Sequence, residues 1–131
     1  PETKGSTRSF VRGGRAITTN DNPRAKAWAR VVSLKAREAM QGRPPIDGPV
    51  RVQLFFSVER PRGHYGTGRN AGKLRPSAPT HPAVLPDLDK MIRCALDAMT
   101  KIVYVDDGRV VQLEAGKHYD DPGVIVEVMA L

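Results

Sequence analysis

Cysteine is almost absent: Cys94 is the only one in 131 residues. That excludes an internal disulfide framework and any zinc site built from several cysteines, and it makes a reducing compartment the simpler expectation. Cys94 itself is expected to pack in or beside a helix as a small hydrophobe. No apolar run approaches the roughly 18 residues a membrane-spanning helix needs, and no apolar signal core precedes the first turn, so the chain reads as soluble, cytoplasmic and without a membrane partner. Histidine is scarce as well, and His64, His81 and His118 are too scattered to propose a metal site. The glycines at 63, 66, 68 and 72 lack the strand-to-helix setting and the Gly-Lys-Ser/Thr of a phosphate-binding loop. No motif supports a Ser or Cys nucleophile, and there is no internal repeat or heptad array.

Charge is present, and its distribution is informative. The net charge is +7. Residues 1–43 carry ten Lys/Arg against three acids, residues 60–82 carry five basic residues and no acid, and residues 87–131 carry five against nine. A solvated cationic surface explains the sum. A phosphate-tracking surface feeding an acidic metal pocket explains the segregation.

At this length a single domain over residues 1–131 is expected. Residues 1–19 read as a polar, glycine-rich basic arm. From Asn20 the pattern changes, and Ala25, Trp28, Ala29, Val32, Ala36, Ala39 and Met40 recur at helical spacing, with Pro23 ahead and Gly42 just past the end. Val50, Val52, Leu54, Phe56 and Val58 alternate as one face of a strand. Residues 60–86 hold five prolines, four glycines and the five basic residues without a sustained period, which predicts a long irregular loop. Leu88, Met91, Ile92, Ala95, Leu96 and Met99 form the stripe of a second helix starting near Asp87, whose other side carries Asp89, Arg93 and Asp97 at i, i+4 spacing. Ile102–Val105, Arg109–Ala115 and Val124–Ala130 read as strands. The class is α+β, with two main helices packed on a mixed or antiparallel sheet.

Chemistry concentrates in the second helix and the acidic turn after it. Asp87 and Asp89 have an ordinary reading as helix caps, and Asp107-Gly108 fits a tight hairpin turn. Asp106 adjoins that turn. A helix of about fifteen residues rises roughly 22 Å, and a strand reversing at its end can return the acidic turn to the helix's first turn. The three carboxylates would then repel one another unless a cation neutralised them, and oxygen-only ligands favour magnesium, with manganese a substitute, over zinc. Arg93 has an ordinary reading as an intrahelical partner of Asp89; its functional reading is a fork on the scissile phosphate. In the loop, Arg60, Arg62, Arg69, Lys73 and Arg75 read as phosphate contacts, and Tyr65 as a platform for an unpaired base.

The run Asp87-Leu88-Asp89-Lys90-Met91-Ile92-Arg93-Cys94-Ala95-Leu96-Asp97-Ala98-Met99-Thr100-Lys101-Ile102-Val103-Tyr104-Val105-Asp106-Asp107-Gly108-Arg109-Val110-Val111 resembles the signature of the RusA-type Holliday junction resolvases. Lys4-Gly5-Ser6-Thr7-Arg8, the first helix and His64-Tyr65-Gly66-Thr67-Gly68-Arg69-Asn70 resemble the bacteriophage-borne branch of that family. The resemblance implies a RusA-like fold and a homodimeric, magnesium-dependent endodeoxyribonuclease of DNA recombination and repair, which binds four-way junctions by shape and nicks two opposing strands. It places the family's essential aspartates on Asp87, Asp89 and Asp107, and its catalytic cation on Arg93, where the family usually has Lys; Lys90 stands where Asn is common. Lys4, Arg8 and Lys90 join the loop cations as expected DNA contacts. The family also has a strand ahead of the Lys-Gly-Ser-Thr-Arg arm, which this sequence is expected to lack. The alternative from a different class is a non-catalytic basic nucleic-acid-binding protein whose acids are caps and turns.

Overall fold

Both apolar helical stripes find the same partner, one face of a single sheet. A computed structural model of the protein describes residues 15–19 and 25–131, with side chains from Ala29 onward. The elements are strand β1 (Arg15–Thr19), helix α1 (Ala25–Met40), strand β2 (Val50–Val58), helix α2 (Leu88–Met99), strand β3 (Val110–Tyr119) and strand β4 (Gly123–Ala130). The sheet order is β1-β4-β2-β3. β4 runs antiparallel to β1 and β2, whereas β2 and β3 are parallel, so the sheet is mixed and the α+β class holds.

The core follows from the two side-chain periods. Val50, Val52, Leu54 and Phe56 of β2 and Val124, Val126 and Val128 of β4 point to one face, where they meet Val32, Ala36 and Met40 of α1 and Met91, Ala95 and Met99 of α2. Each such buried side chain contributes about 1.5–3 kcal/mol, the small alanines less. Ser33 Oγ donates to the Ala98 carbonyl at 2.9 Å and ties the helices together. α1 stops where Gln41 and Gly42 adopt left-handed φ of 52° and 77°, and the Arg43 side chain donates to the carbonyls of Met40 and Ala39, both at 2.9 Å.

Parallel pairing of β2 and β3 cannot be closed by a hairpin; it needs a crossover, and α2 is that crossover. This arrangement carries the acidic turn that follows α2 back along the helix.

Three sequence expectations are corrected. Arg15–Thr19, assigned to the basic arm, is an edge strand paired with β4. Residues 1–14, including Lys4 and Arg8, lie outside the described residues. Ile102–Val105 is a turn with isolated bridges at Tyr104, to Ile46 and Thr100, not a strand. Its consecutive residues Val103 and Tyr104 are both fully buried, which the alternation of a half-exposed strand does not allow, and Lys101 reverses the chain at φ 69°. Arg109–Ala115 is too short a reading, because β3 continues to Tyr119. The polar Lys117 and His118 belong to it: His118 Nε2 lies 3.2 Å from the Ser57 hydroxyl across the β2–β3 pair.

Candidate active site

The site is built on α2 and on the turn between α2 and β3. Lys117 of β3 donates from Nζ to the carbonyls of Val84 and Pro86, the latter at 2.8 Å, and so anchors the segment that enters Asp87. Asp87 is the N-cap residue of α2, yet its carboxylate makes no capping hydrogen bond. It pairs with Lys90 at 3.4 Å at the surface, a contact worth little in itself. Asp89 follows in the first turn, exposed; Arg93 and Asp97 come one and two turns later, exposed on the same side. Among the described residues no ion pair holds Asp89, Arg93 or Asp97, so the intrahelical Asp89–Arg93 pair weighed from sequence is not formed.

The two adjacent acids of the turn have different duties. Asp106 caps a short 3₁₀ turn over Asp107–Arg109, its carboxylate accepting from the Gly108 amide at 2.9 Å, and it stands 3.7 Å from the Arg109 guanidinium. Arg109 is held more closely by Asp47 at 2.7 Å, and these two acids raise its pKa further. The Asp107 side chain is left exposed, with no ion pair among the described residues. The hairpin reading of this turn is therefore replaced by a capped 3₁₀ turn, because the next strand pairs in parallel with β2.

Beneath the turn, Tyr104 is fully buried and donates its hydroxyl to the Leu96 carbonyl at 2.7 Å. Burial pushes its pKa far above the ordinary phenol value; a hydrogen bond with Thr100 opposes this, and the nearby charges of Asp107 and Asp97 add to it. Tyr104 thus stays protonated through the neutral range and clamps the turn to α2. Asp97 and burial act together on the half-buried Cys94 as well: desolvation first, then the carboxylate, raise the thiol pKa, the opposite of what a reactive cysteine needs.

Asp89, Ile92, Arg93, Leu96, Asp97 and Asp107 line one open recess of about 460 Å³. Asp97 is the member that sequence reasoning did not assign to the site, although its spacing from Asp89 and Arg93 was the available signal. Asp87 is outside this lining. Three carboxylates face one guanidinium, an excess of two negative charges in a protein of net charge +7. Their donor chemistry fits a hard divalent cation in kind: oxygen only, exposed, and not consumed by ion pairs. They are spread rather than gathered, with Asp89 and Asp97 two turns of about 5.4 Å apart along α2 and Asp107 on the turn beyond it, and among the described residues no group of three His, Cys, Asp or Glu forms a ready-made metal site.

The loop that enters the site is more ordered than its composition suggests. Tyr65 and Leu74 form an antiparallel bridge, the Gly66 amide donates to Lys73 and the Arg75 amide donates to His64, both at 2.9 Å. Its base is fastened to β3: the Arg60 guanidinium lies 4.2 Å from the Tyr119 ring centroid and donates to the Pro79 carbonyl at 2.7 Å, while His64 meets the same ring edge-on at 5.3 Å. Arg75 donates to the Tyr65 carbonyl at 2.9 Å. Of the five loop cations expected to contact DNA, Arg60 and Arg75 therefore hold the loop together. Arg62, Arg69 and Lys73 are exposed and have no ion pair among the described residues. Lys90 has 79% of its side chain exposed at the mouth of α2. Among the described residues no helix is long and apolar enough to cross a membrane.

A family model described as endodeoxyribonuclease RusA matches residues 1–129. Among curated proteins, the uncharacterized protein YqaN of Bacillus subtilis (strain 168) is 28% identical over 131 residues, covering 98% of this chain and 89% of that protein.

Proposed function

We propose, from the premise that this chain belongs to the RusA endodeoxyribonuclease family, that it resolves four-way DNA junctions by hydrolysing phosphodiesters at the α2 recess. The observation that carries this reading is the acidic recess in a basic protein. A DNA phosphate is repelled by an excess of carboxylates, so an acidic cleft serves a polyanion only when a cation completes it.

In this reading Asp89 and Asp107 of the recess, with Asp87 at the head of α2, would hold a magnesium ion, for which manganese could substitute. When bound, that ion supplies an activated water and neutralises charge on the phosphate. The chain's own residues do the rest. Arg93 presents a fork of N–H donors to the non-bridging phosphate oxygens and offsets the negative charge that grows as the water oxygen adds to phosphorus and one P–O ester bond breaks, the water giving up a proton to solvent and the departing sugar oxygen taking one up from it. A guanidinium neither gives nor takes the reacting proton. Lys117 keeps the chain before Asp87 in place, and Tyr104 fixes the Asp107 turn against α2. Lys90, Arg62, Arg69 and Lys73 carry the flanking phosphates. A two-fold symmetric homodimer would present one such site to each of two opposing strands, and the protein would act in the cytoplasm on recombination or repair intermediates, of phage or host origin.

The test is nicking of a synthetic four-way junction. Paired nicks with magnesium, and none in chelator, are expected; junction binding without nicking under any divalent cation would return the chain to a non-catalytic binding role. Junction affinity is also expected to fall steeply with salt, with a log-log slope of about −0.9 for each phosphate contact. A gel-shift series across salt concentrations measures that slope, and a flat response would remove the electrostatic account.

A further inference from the structure

The hairpin of residues 62–75 carries an open surface cleft that the phosphodiester chemistry does not use. Arg62, Gly63, Tyr65, Gly66, Gly72 and Arg75 are among its lining residues. Its interior is mostly apolar and its rim cationic. The two limbs close tightly at one point: a Cβ on Gly66 would lie 2.7 Å from the Asn70 Cβ, so they touch where no side chain fits. Tyr65 is fixed through its backbone, with its amide donating to the Arg62 carbonyl at 3.1 Å and its own carbonyl accepting from Arg75 at 2.9 Å. Its half-exposed ring has no side-chain hydrogen bond among the described residues. The backbone of Tyr65 is thus held, while among the described residues its ring makes no hydrogen bond.

We propose that this cleft receives an unpaired nucleobase of branched DNA, with Tyr65 as the stacking face and the exposed Arg62, Arg69 and Lys73 on the adjoining phosphates. The occupant follows from the chemistry. An apolar slot with a cationic rim suits a flat heterocycle whose attached chain is anionic, and residues 60–82 contain no acid to oppose it. Bases inside a duplex are stacked and cannot enter, whereas those at a branch point are exposed at little cost. The same hairpin meets β3 through His64 on the Tyr119 ring, which Arg60 just before it also covers, and the chain that follows it is held by Lys117 on its way into Asp87. Base capture and the acidic recess are thereby parts of one framework, and the cleft would supply preference for branched over linear DNA. This inference rests on the junction-resolving reading for its substrate.

The test uses the whole chain and two DNA probes in chelator: a synthetic four-way junction with 2-aminopurine at the branch point, and a linear duplex with the same base in its interior. Gly63 lines the cleft with an ordinary backbone angle, and a Cβ at that position meets nothing within 4 Å, so Gly63→Leu adds a bulky side chain to the lining without backbone strain. Tyr65→Ala removes the platform and Tyr65→Phe keeps it. The parent is expected to change the 2-aminopurine emission of the junction only. Gly63→Leu and Tyr65→Ala should each lose that change and about tenfold or more in junction affinity, with a smaller loss on duplex, while Tyr65→Phe stays near the parent. Circular dichroism and melting temperature confirm that each variant is folded. If folded Gly63→Leu or Tyr65→Ala binds the junction like the parent with the same emission change, the cleft proposal is overturned. Nicking by the parent in magnesium is scored separately: emission change without nicking sinks the nuclease reading and leaves the cleft, nicking without emission change does the reverse, and a parent that neither binds nor nicks overturns both.

Discussion

Asp107→Asn is expected to reduce junction nicking by orders of magnitude, while Asp106→Asn, one residue earlier, stays within a few fold of the parent. The adjacent acids differ in what they already do. Asp106 commits its carboxylate to the Gly108 amide at 2.9 Å, and an Asn side chain accepts the same hydrogen bond, so the turn keeps its shape. Asp107 lines the recess, and its charge is what a cation site loses on amidation. Asp89→Asn should behave like Asp107→Asn. In chelator, removing one charge from an excess of two should leave junction binding intact or slightly tighter, because less repulsion meets the phosphate. Gel-shift affinity in chelator and nicking rate in magnesium, both on folded variants, separate the two effects. Parental nicking by Asp107→Asn would remove it from the site; joint loss of binding, nicking and the folded signal would make it structural.

Arg93→Ala is the second large effect. Its guanidinium is exposed and has no ion pair among the described residues, so the fold should not notice the change. The transition state should: losing a charged donor aimed at developing negative charge costs roughly a hundredfold to a thousandfold in rate. Junction affinity should fall far less. Arg93→Lys should recover part of the rate by restoring charge without the fork. Single-turnover nicking at saturating protein isolates the chemical step from binding. Equal, small losses for both variants would reduce Arg93 to a solvated surface residue.

The contrast between the two loop arginines and their neighbours could not be drawn from the chain alone. Arg60, Arg62, Arg69, Lys73 and Arg75 are alike as a basic run, and only the fold distinguishes Arg60, stacked on Tyr119, and Arg75, bonded to the Tyr65 carbonyl, from the three that face outward. Tyr119 is 59 positions from Arg60, and no local pattern relates them. Asp97 is the converse case. Its i, i+4 relation to Arg93 was visible, but whether that side of α2 met solvent or a neighbouring turn depended on where residues 100–109 ran.

What the sequence by itself determined is what depends on neighbours within a turn or two: the buried faces of α1, α2, β2 and β4, the helix ends at Gly42 and Asp87, the charge segregation, and the acidic run whose spacing resembles RusA resolvases. Each of these rests on a period of 3.6 or 2 or on a local cap. What only the tertiary structure decided involves residues far apart in the chain. The parallel pairing of β3 with β2 turned an expected hairpin into a capped 3₁₀ turn, residues 103 and 104 were buried together beneath it, and at the opposite edge of the sheet antiparallel pairing with β4 drew in Arg15–Thr19. The physical reason is that strand partners are chosen by burial of the whole sheet face, and backbone hydrogen bonds carry no sequence label.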